Sequence, residues 1–158
     1  MNCGNSREFA GGEAAGLPRG LEDMSDTPEQ HEGGCFCGAV RYRVRGAPTY
    51  AGNCHCRDCQ RAIGAGFVTW VGAKPENFDV TKGEIATCET SPGVHRGFCG
   101  RCGSSLTFSG DDWTDVGITA ASLDEPGAVK PESNVYLDER QPWVIFDETL
   151  RCYENFPD

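Results

Sequence analysis

The placement of cysteine constrains this chain more than any other feature. Ten cysteines are present, and seven fall into three tight groups: Cys35/Cys37, Cys54/Cys56/Cys59 and Cys99/Cys102. Cys3, Cys88 and Cys152 stand alone. Ten in 158 residues falls short of the roughly 8–10% that marks a small disulfide scaffold. The opening residues also lack the charged-then-apolar pattern of a secretory signal, so close pairs read as metal ligands before disulfides.

Spacing suggests how the ligands divide. Cys99-Gly-Arg-Cys102-Gly103 has the form of a zinc knuckle, with Gly100 and Gly103 permitting a turn at positive φ. Cys35-Phe-Cys37-Gly38 is a tighter pincer with the same trailing glycine. Two pincers from distant parts of the chain make a closed four-cysteine site. Cys54-His-Cys56-Arg-Asp-Cys59 then offers three thiolates and no obvious fourth ligand. Three protein ligands leave one position open, as reactive zinc sites do. His55 is a weak candidate for the fourth place, because the middle side chain of an extended C-x-C points away from its neighbours. If the second site is merely structural, Asp58, Asp111, Asp112 and His95 are the other candidates. Two further partitions stay open on spacing alone. Cys56/Cys59 could join Cys99/Cys102 as a ribbon, although the separation is long for one, or the triplet could be a redox cluster.

Three thiolates around zinc leave the unit at −1, a poor Lewis acid for activating water. Such a site suits a soft incoming ligand, a thiol that loses its proton on binding. The residue types thus favour thiol chemistry over hydrolysis.

Charge and hydropathy narrow the partners. Fourteen basic residues stand against 24 acidic ones, a net charge of −10, which argues against nucleic acid as a partner. No apolar run approaches the roughly 18–20 residues of a membrane span. The expectation is a soluble, cytoplasmic protein. Residues 1–32 hold Arg7 and Arg19 against seven acids, with Phe9 their only aromatic. They are expected to be a disordered acidic tail, with Cys3 and His31 in it and Met24 as an alternative start. Residues 33–158 form the single predicted domain.

That domain reads as mainly β. Strands are predicted at 40–44, 67–71, 78–81, 84–89, 94–98, 106–108, 115–119 and 144–146, from alternation and β-branched or aromatic content. Lys82-Gly83 suits a tight hairpin between the third and fourth of these. Arg57–Ile63 is the one helical stretch. Trp70, Trp113 and Trp143 are expected in the core rather than in a substrate cleft. Cys88 is expected as a small buried residue, Cys152 as a buried or free thiol, and His95 at the surface or behind a metal ligand. Arg57 and Asp58 are either substrate-docking groups or solvated turn charges.

Three strings together resemble the glutathione-dependent formaldehyde-activating enzymes, a family that also includes centromere protein V. They are Gly34-Cys-Phe-Cys-Gly-Ala-Val40, Asn53-Cys-His-Cys-Arg-Asp-Cys-Gln60 and Phe98-Cys-Gly-Arg-Cys-Gly-Ser-Ser-Leu106. The resemblance covers about residues 33–150. It implies a zinc-containing β-tent fold of antiparallel sheets. It also implies two zinc ions per chain, a structural one on Cys35, Cys37, Cys99 and Cys102 and a second on Cys54, Cys56 and Cys59. The implied activity is that of a carbon–sulfur lyase joining glutathione and formaldehyde as S-(hydroxymethyl)glutathione, with Cys54, Cys56 and Cys59 as the catalytic set. Two other readings stand beside the enzyme: a non-catalytic zinc module for protein or chromatin interaction, and a thiol or metal sensor. The 12 basic against 17 acidic residues of 33–158 favour a small-molecule site over chromatin.

Overall fold

A computed structural model describes residues 30–156. Cys3 and the Met24 start lie outside the described residues. Within them the protein is mainly β, with one α-helix, α1 (Arg57–Ile63), and eleven strands. In chain order these are β1 (Gln30–Gly34), β2 (Arg41–Arg45), β3 (Ala51–Cys54), β4 (Val68–Ala73), β5 (Phe78–Lys82), β6 (Ile85–Ser91), β7 (Val94–Cys99), β8 (Ser105–Gly110), β9 (Val116–Thr119), β10 (Ser133–Val135) and β11 (Arg151–Cys152).

Two sheets result. A small antiparallel sheet has the order β1-β2-β5, and a large one the order β11-β10-β3-β4-β9-β8-β7-β6. The large sheet is antiparallel except where β10 runs parallel to both β3 and β11. Strand β4 shows how the cores are divided. Side chains alternate across a strand, and Val71 and Ala73 enter one core while Val68 and Trp70 enter another. The first core lies between the sheets, where Val40, Tyr42 and Val44 meet Val71, Leu106 and Ile118, with Cys35 and Cys99 at its margin. The second gathers Val68, Trp70 and Val135 around Cys54 and Cys59.

Several expectations are corrected here. Lys82-Gly83 does not close a hairpin: β5 pairs with β2 and β6 with β7, so the chain crosses there from the small sheet to the large one. The tight hairpin is the next one, at Ser91–Val94. Residues 144–146 form no strand; Val144 is buried, but Ile145 is 94% exposed. Trp70 is a core residue, whereas Trp113 and Trp143 are exposed, as is Cys88. Cys152 is an exposed free thiol.

Strand structure also starts earlier than 33. Strand β1 takes in Gln30–Glu32, and His31 pairs opposite Val44 and is buried rather than part of a tail. The same strand brings Gly33 against the Tyr42 ring and the Ser122 carbonyl, where a Cβ would collide with both. Since one of those neighbours is backbone, Gly33→Ala should cost about 1–3 kcal/mol, read as a lower midpoint in denaturant. His31 supplies a second test. Burial lowers its pKa below the ordinary 6.5, so the folded state binds fewer protons than the unfolded one in mild acid. Its contribution to stability is complete above about pH 6.5 and is lost progressively as pH falls toward the lowered native value. An NMR titration of the His31 ring should give a midpoint below 6.5, and His31→Leu should flatten the mild-acid slope of stability.

Candidate metal centres

The first cluster joins the two sheets. Cys35 and Cys37 follow β1, Cys99 ends β7, and Cys102 lies in the turn before β8. Both turns depend on a glycine in the left-handed region: Gly38 has φ 69° and Gly103 has φ 74°. Gly100, expected to share that role, has no such φ. Sulfur Sγ of Cys37 lies 3.6 Å from that of Cys35 and 3.9 Å from that of Cys99, and all four sulfurs lie within 4.8 Å of one another.

Backbone and hydroxyl donors surround these sulfurs. The Val40 amide donates to Cys35 Sγ at 3.2 Å, and Ser104 Oγ lies 3.2 Å from Cys102 Sγ. The hydroxyl and the amide of Ser104 hold the Cys102 thiol down at about 5. The geometry fits zinc. With Zn–S bonds of about 2.3 Å, the sulfurs of a tetrahedral site sit about 3.8 Å apart, and the Cys37 contacts with Cys35 and Cys99, 3.6 and 3.9 Å, bracket that spacing.

The second cluster is built at a strand-to-helix junction. Cys54 ends β3, Cys56 is the N-cap of α1, and Cys59 lies in the helix's first turn. The Cys59 amide donates to Cys56 Sγ at 3.3 Å, so the cap itself folds two sulfurs toward the helix start. The helix ends at Gly64, whose amide donates to the Gln60 carbonyl. Sulfurs of Cys54, Cys56 and Cys59 lie within 4.8 Å of one another. Cys54 and Cys59 are buried and Cys56 is half-buried. The thiols of Cys54 and Cys56 donate toward Cys59 and hold it down at about 3, while Cys56 and Cys59 push Cys54 up. A buried trio with one thiolate already favoured matches the donor chemistry that zinc selects.

No fourth donor joins the trio among the described residues. His55 is fully buried but turns away, with Nε2 3.5 Å from Asn134 Oδ1 and its ring between Phe67 and Phe146. His95 pairs instead with Asp111 at 2.8 Å. Asp58 and Asp112 are also outside the group. Cys99 and Cys102 sit with Cys35 and Cys37, so the ribbon partition is not the arrangement of the fold.

Polar residues that the spacing argument passed over hold the trio in place. Gln60 Nε2 donates to the His55 and Glu139 carbonyls, and its Oε1 accepts from Arg57 Nη1 at 2.6 Å and from Gln141 at 3.0 Å. Arg57 is thus committed to an internal acceptor, and its amide donates to the Glu139 carboxylate. Asn134, fully buried on β10, accepts from Asn53 at 3.1 Å and donates to the Asp147 carbonyl at 2.9 Å. Buried amides of this kind persist only when their hydrogen bonds are met. The adjacency of Asn53, Cys54, Cys59 and Gln60 was the available signal for half of this network; the contribution of β10 had none. A cleft of about 1010 Å³ runs beside Cys35, Ile63 and Phe67, and none of Cys54, Cys56 or Cys59 lines it.

Comparison with known proteins places this arrangement. Residues 30–139 match the family model described as glutathione-dependent formaldehyde-activating enzyme. A Halomonas elongata protein that carries that same description as a provisional name is 33% identical over 141 residues, covering 80% of this chain and 88% of its own. A crystal structure of a Rhodobacter sphaeroides protein shares the fold at a TM-score of 0.51 and 23% identity, over 63% of this chain and 91% of that one. With its three cysteine motifs folded into two sulfur clusters, the chain belongs to the glutathione-dependent formaldehyde-activating enzyme family.

Proposed function

We propose that this chain is a zinc-dependent carbon–sulfur lyase acting on a glutathione–aldehyde adduct, with formaldehyde as the aldehyde and S-(hydroxymethyl)glutathione as the adduct. The observation that carries this reading is the unequal donor count of the two clusters, four sulfurs in one and three in the other. Family membership supports it, through the description of the matching model and the name of the Halomonas elongata relative. Cys35, Cys37, Cys99 and Cys102 would hold a structural zinc, and Cys54, Cys56 and Cys59 a second one. Zinc with three thiolate ligands supplies an open position at which a substrate thiol loses its proton near neutral pH.

The substrate chemistry balances simply. The glutathione sulfur bonds to the aldehyde carbon, the carbonyl π pair moves to oxygen, and that oxygen gains the proton the thiol gave up. The lyase direction breaks the same carbon–sulfur bond. Cys54, Cys56 and Cys59 would hold the metal that receives the reacting sulfur, and Gln60 and Asn134 belong to the hydrogen-bond network around those three cysteines. Trp70, stacked on Phe108 with centroids 5.3 Å apart, keeps water from the buried side of the trio. Among the described residues no helix is long and apolar enough to cross a membrane. We propose a cytoplasmic location, with a small-molecule thiol and an aldehyde as the partners.

Two outcomes are expected. Cys35→Ser or Cys102→Ser should abolish cooperative folding, because a structural zinc contributes on the order of 10 kcal/mol, comparable to the whole stability of a domain. Circular dichroism and metal analysis read this directly, and a metal-free chain with a normal melting transition would overturn the structural assignment. Cys59→Ser should leave a folded protein with one zinc that no longer binds glutathione in calorimetric titration. In the parent protein a mild chelator should remove the three-cysteine metal first. Undiminished glutathione affinity in Cys59→Ser would move the chemistry away from the trio, and a parent protein that binds no glutathione would favour a non-catalytic or sensing role.

A further inference from the structure

Beyond the trio, the same face of the large sheet carries a run of aromatic rings that ends on a single arginine. The Tyr50 ring lies over Gly72, with its hydroxyl close to Gly117, and Trp113 covers Gly110. Trp70 stacks on Phe108, and Phe108 meets Trp113 edge-on at 4.5 Å. Glycines at 72, 110 and 117 leave room for these rings to lie flat on the sheet, since a Cβ at each would meet aromatic atoms. Trp70 belongs to the core cluster of Cys54 and Cys59, and Phe108 packs against that cluster. At the other side of Phe108 stands Arg96, its guanidinium carbon 4.5 Å from the ring centroid. Arg96 lies on β7 directly opposite Phe108 in the register.

Arg96 differs from the other cations around the trio. Arg140 donates to the Val144 carbonyl at 2.9 Å, and Arg57 to Gln60. Arg96 Nη1 is buried and has no hydrogen-bond partner among the described residues, and the guanidinium is in none of their ion pairs. A buried cationic N–H without an acceptor is costly. Stacking on Phe108 recovers part of that cost and leaves the fork of donors fixed in direction.

We propose that Arg96 is the carboxylate subsite for the thiol substrate, with the aromatic face from Trp70 to Phe108 lying between it and the sulfur position at Cys54, Cys56 and Cys59. The inference rests on the function proposed above and adds the chemical class of group that selects the thiol. It meets a difficulty set by composition. A chain with net charge −10 repels an anionic tripeptide thiol at long range, so binding needs a local cation with free donors. A planar guanidinium suits a carboxylate through paired, charge-assisted hydrogen bonds. Arg96 is therefore a specificity residue that binds the non-reacting end of the substrate.

The test is calorimetric titration of the zinc-loaded protein with glutathione and with glutathione diethyl ester, which keeps the thiol and masks both carboxylates. The parent should prefer the acid over the ester by about tenfold or more, as one charge-assisted pair implies. Arg96→Met keeps the alkyl stack and should lose that preference while binding the ester as the parent does. Arg96→Lys should keep part of it. The lysine variant and the parent's own acid-to-ester ratio decide the matter if the methionine variant does not fold. Equal parent affinity for acid and ester, with glutathione still bound, would overturn the carboxylate subsite and leave the proposed function standing. A parent that binds neither thiol would overturn both.

Discussion

Contact between two cysteine turns that are far apart in the chain is the constraint on which the rest of this protein depends. Cys37 and Cys99 are 62 positions apart, yet their sulfurs are 3.9 Å from each other. One turn closes the first hairpin of the small sheet and the other joins β7 to β8 in the large one. A divalent cation among four sulfurs at that spacing converts a weak contact into a covalent-strength cross-link. The hydrophobic core between the sheets is modest, with Tyr42, Leu106 and Ile118 as its largest fully buried members. The four-sulfur cluster sits at its margin, where Cys35 and Cys99 pack against the same residues. The sulfur cluster and the apolar core are therefore one structure here and not two.

The large sheet gives each sulfur cluster a face of its own. Because β4 sends Val71 and Ala73 to one face and Val68 and Trp70 to the other, each cysteine cluster has its own core. The trio has only one helix beside it, and the gap is filled by polar groups: Gln60, Asn53, Asn134 and the carbonyls of residues 55, 139 and 147. A polar surround holds ligands in direction more strictly than apolar packing does. It also restrains His55, whose ring is buried between two phenylalanines and whose pKa is lowered chiefly by that burial.

How much of this was legible in the sequence follows from which interactions are local. Helix α1 runs over Arg57–Ile63 as expected, because its cap, first turn and terminating glycine are all neighbours in sequence. The alternation of Arg41–Arg45 is equally plain. Strands β3 and β10 left no such mark: Gly52-Asn53 and Ser133-Asn134 are poor strand formers, paired only because distant backbone lies beside them. At Lys82-Gly83 the local turn signal was real, but Phe78 packs on Tyr42 in the small sheet, so the chain changes sheets there. Residues 144–146 carry β-formers, yet the Arg140 guanidinium takes the Val144 carbonyl and the segment stays irregular. Grouping of the cysteines was suggested by spacing; the three-cysteine group's support by Asn134 and Glu139 was not, since both arrive from about 80 positions away.

The parallel placement of β10 between β3 and β11 has a consequence for the order in which the protein is made. All four sulfurs of the first cluster lie within residues 35–102, so that cluster can close before residues 133–153 have been made. The trio's own sulfurs are present even earlier, but β10 and β11 bring the Asn134 and Tyr153 contacts from residues 133–153. A nascent chain thus holds all the sulfurs of its first cluster before its three-sulfur centre is organised. Throughout that interval the trio stays unframed, and thiols that will later be restrained are open to the metals and oxidants of the surrounding cell.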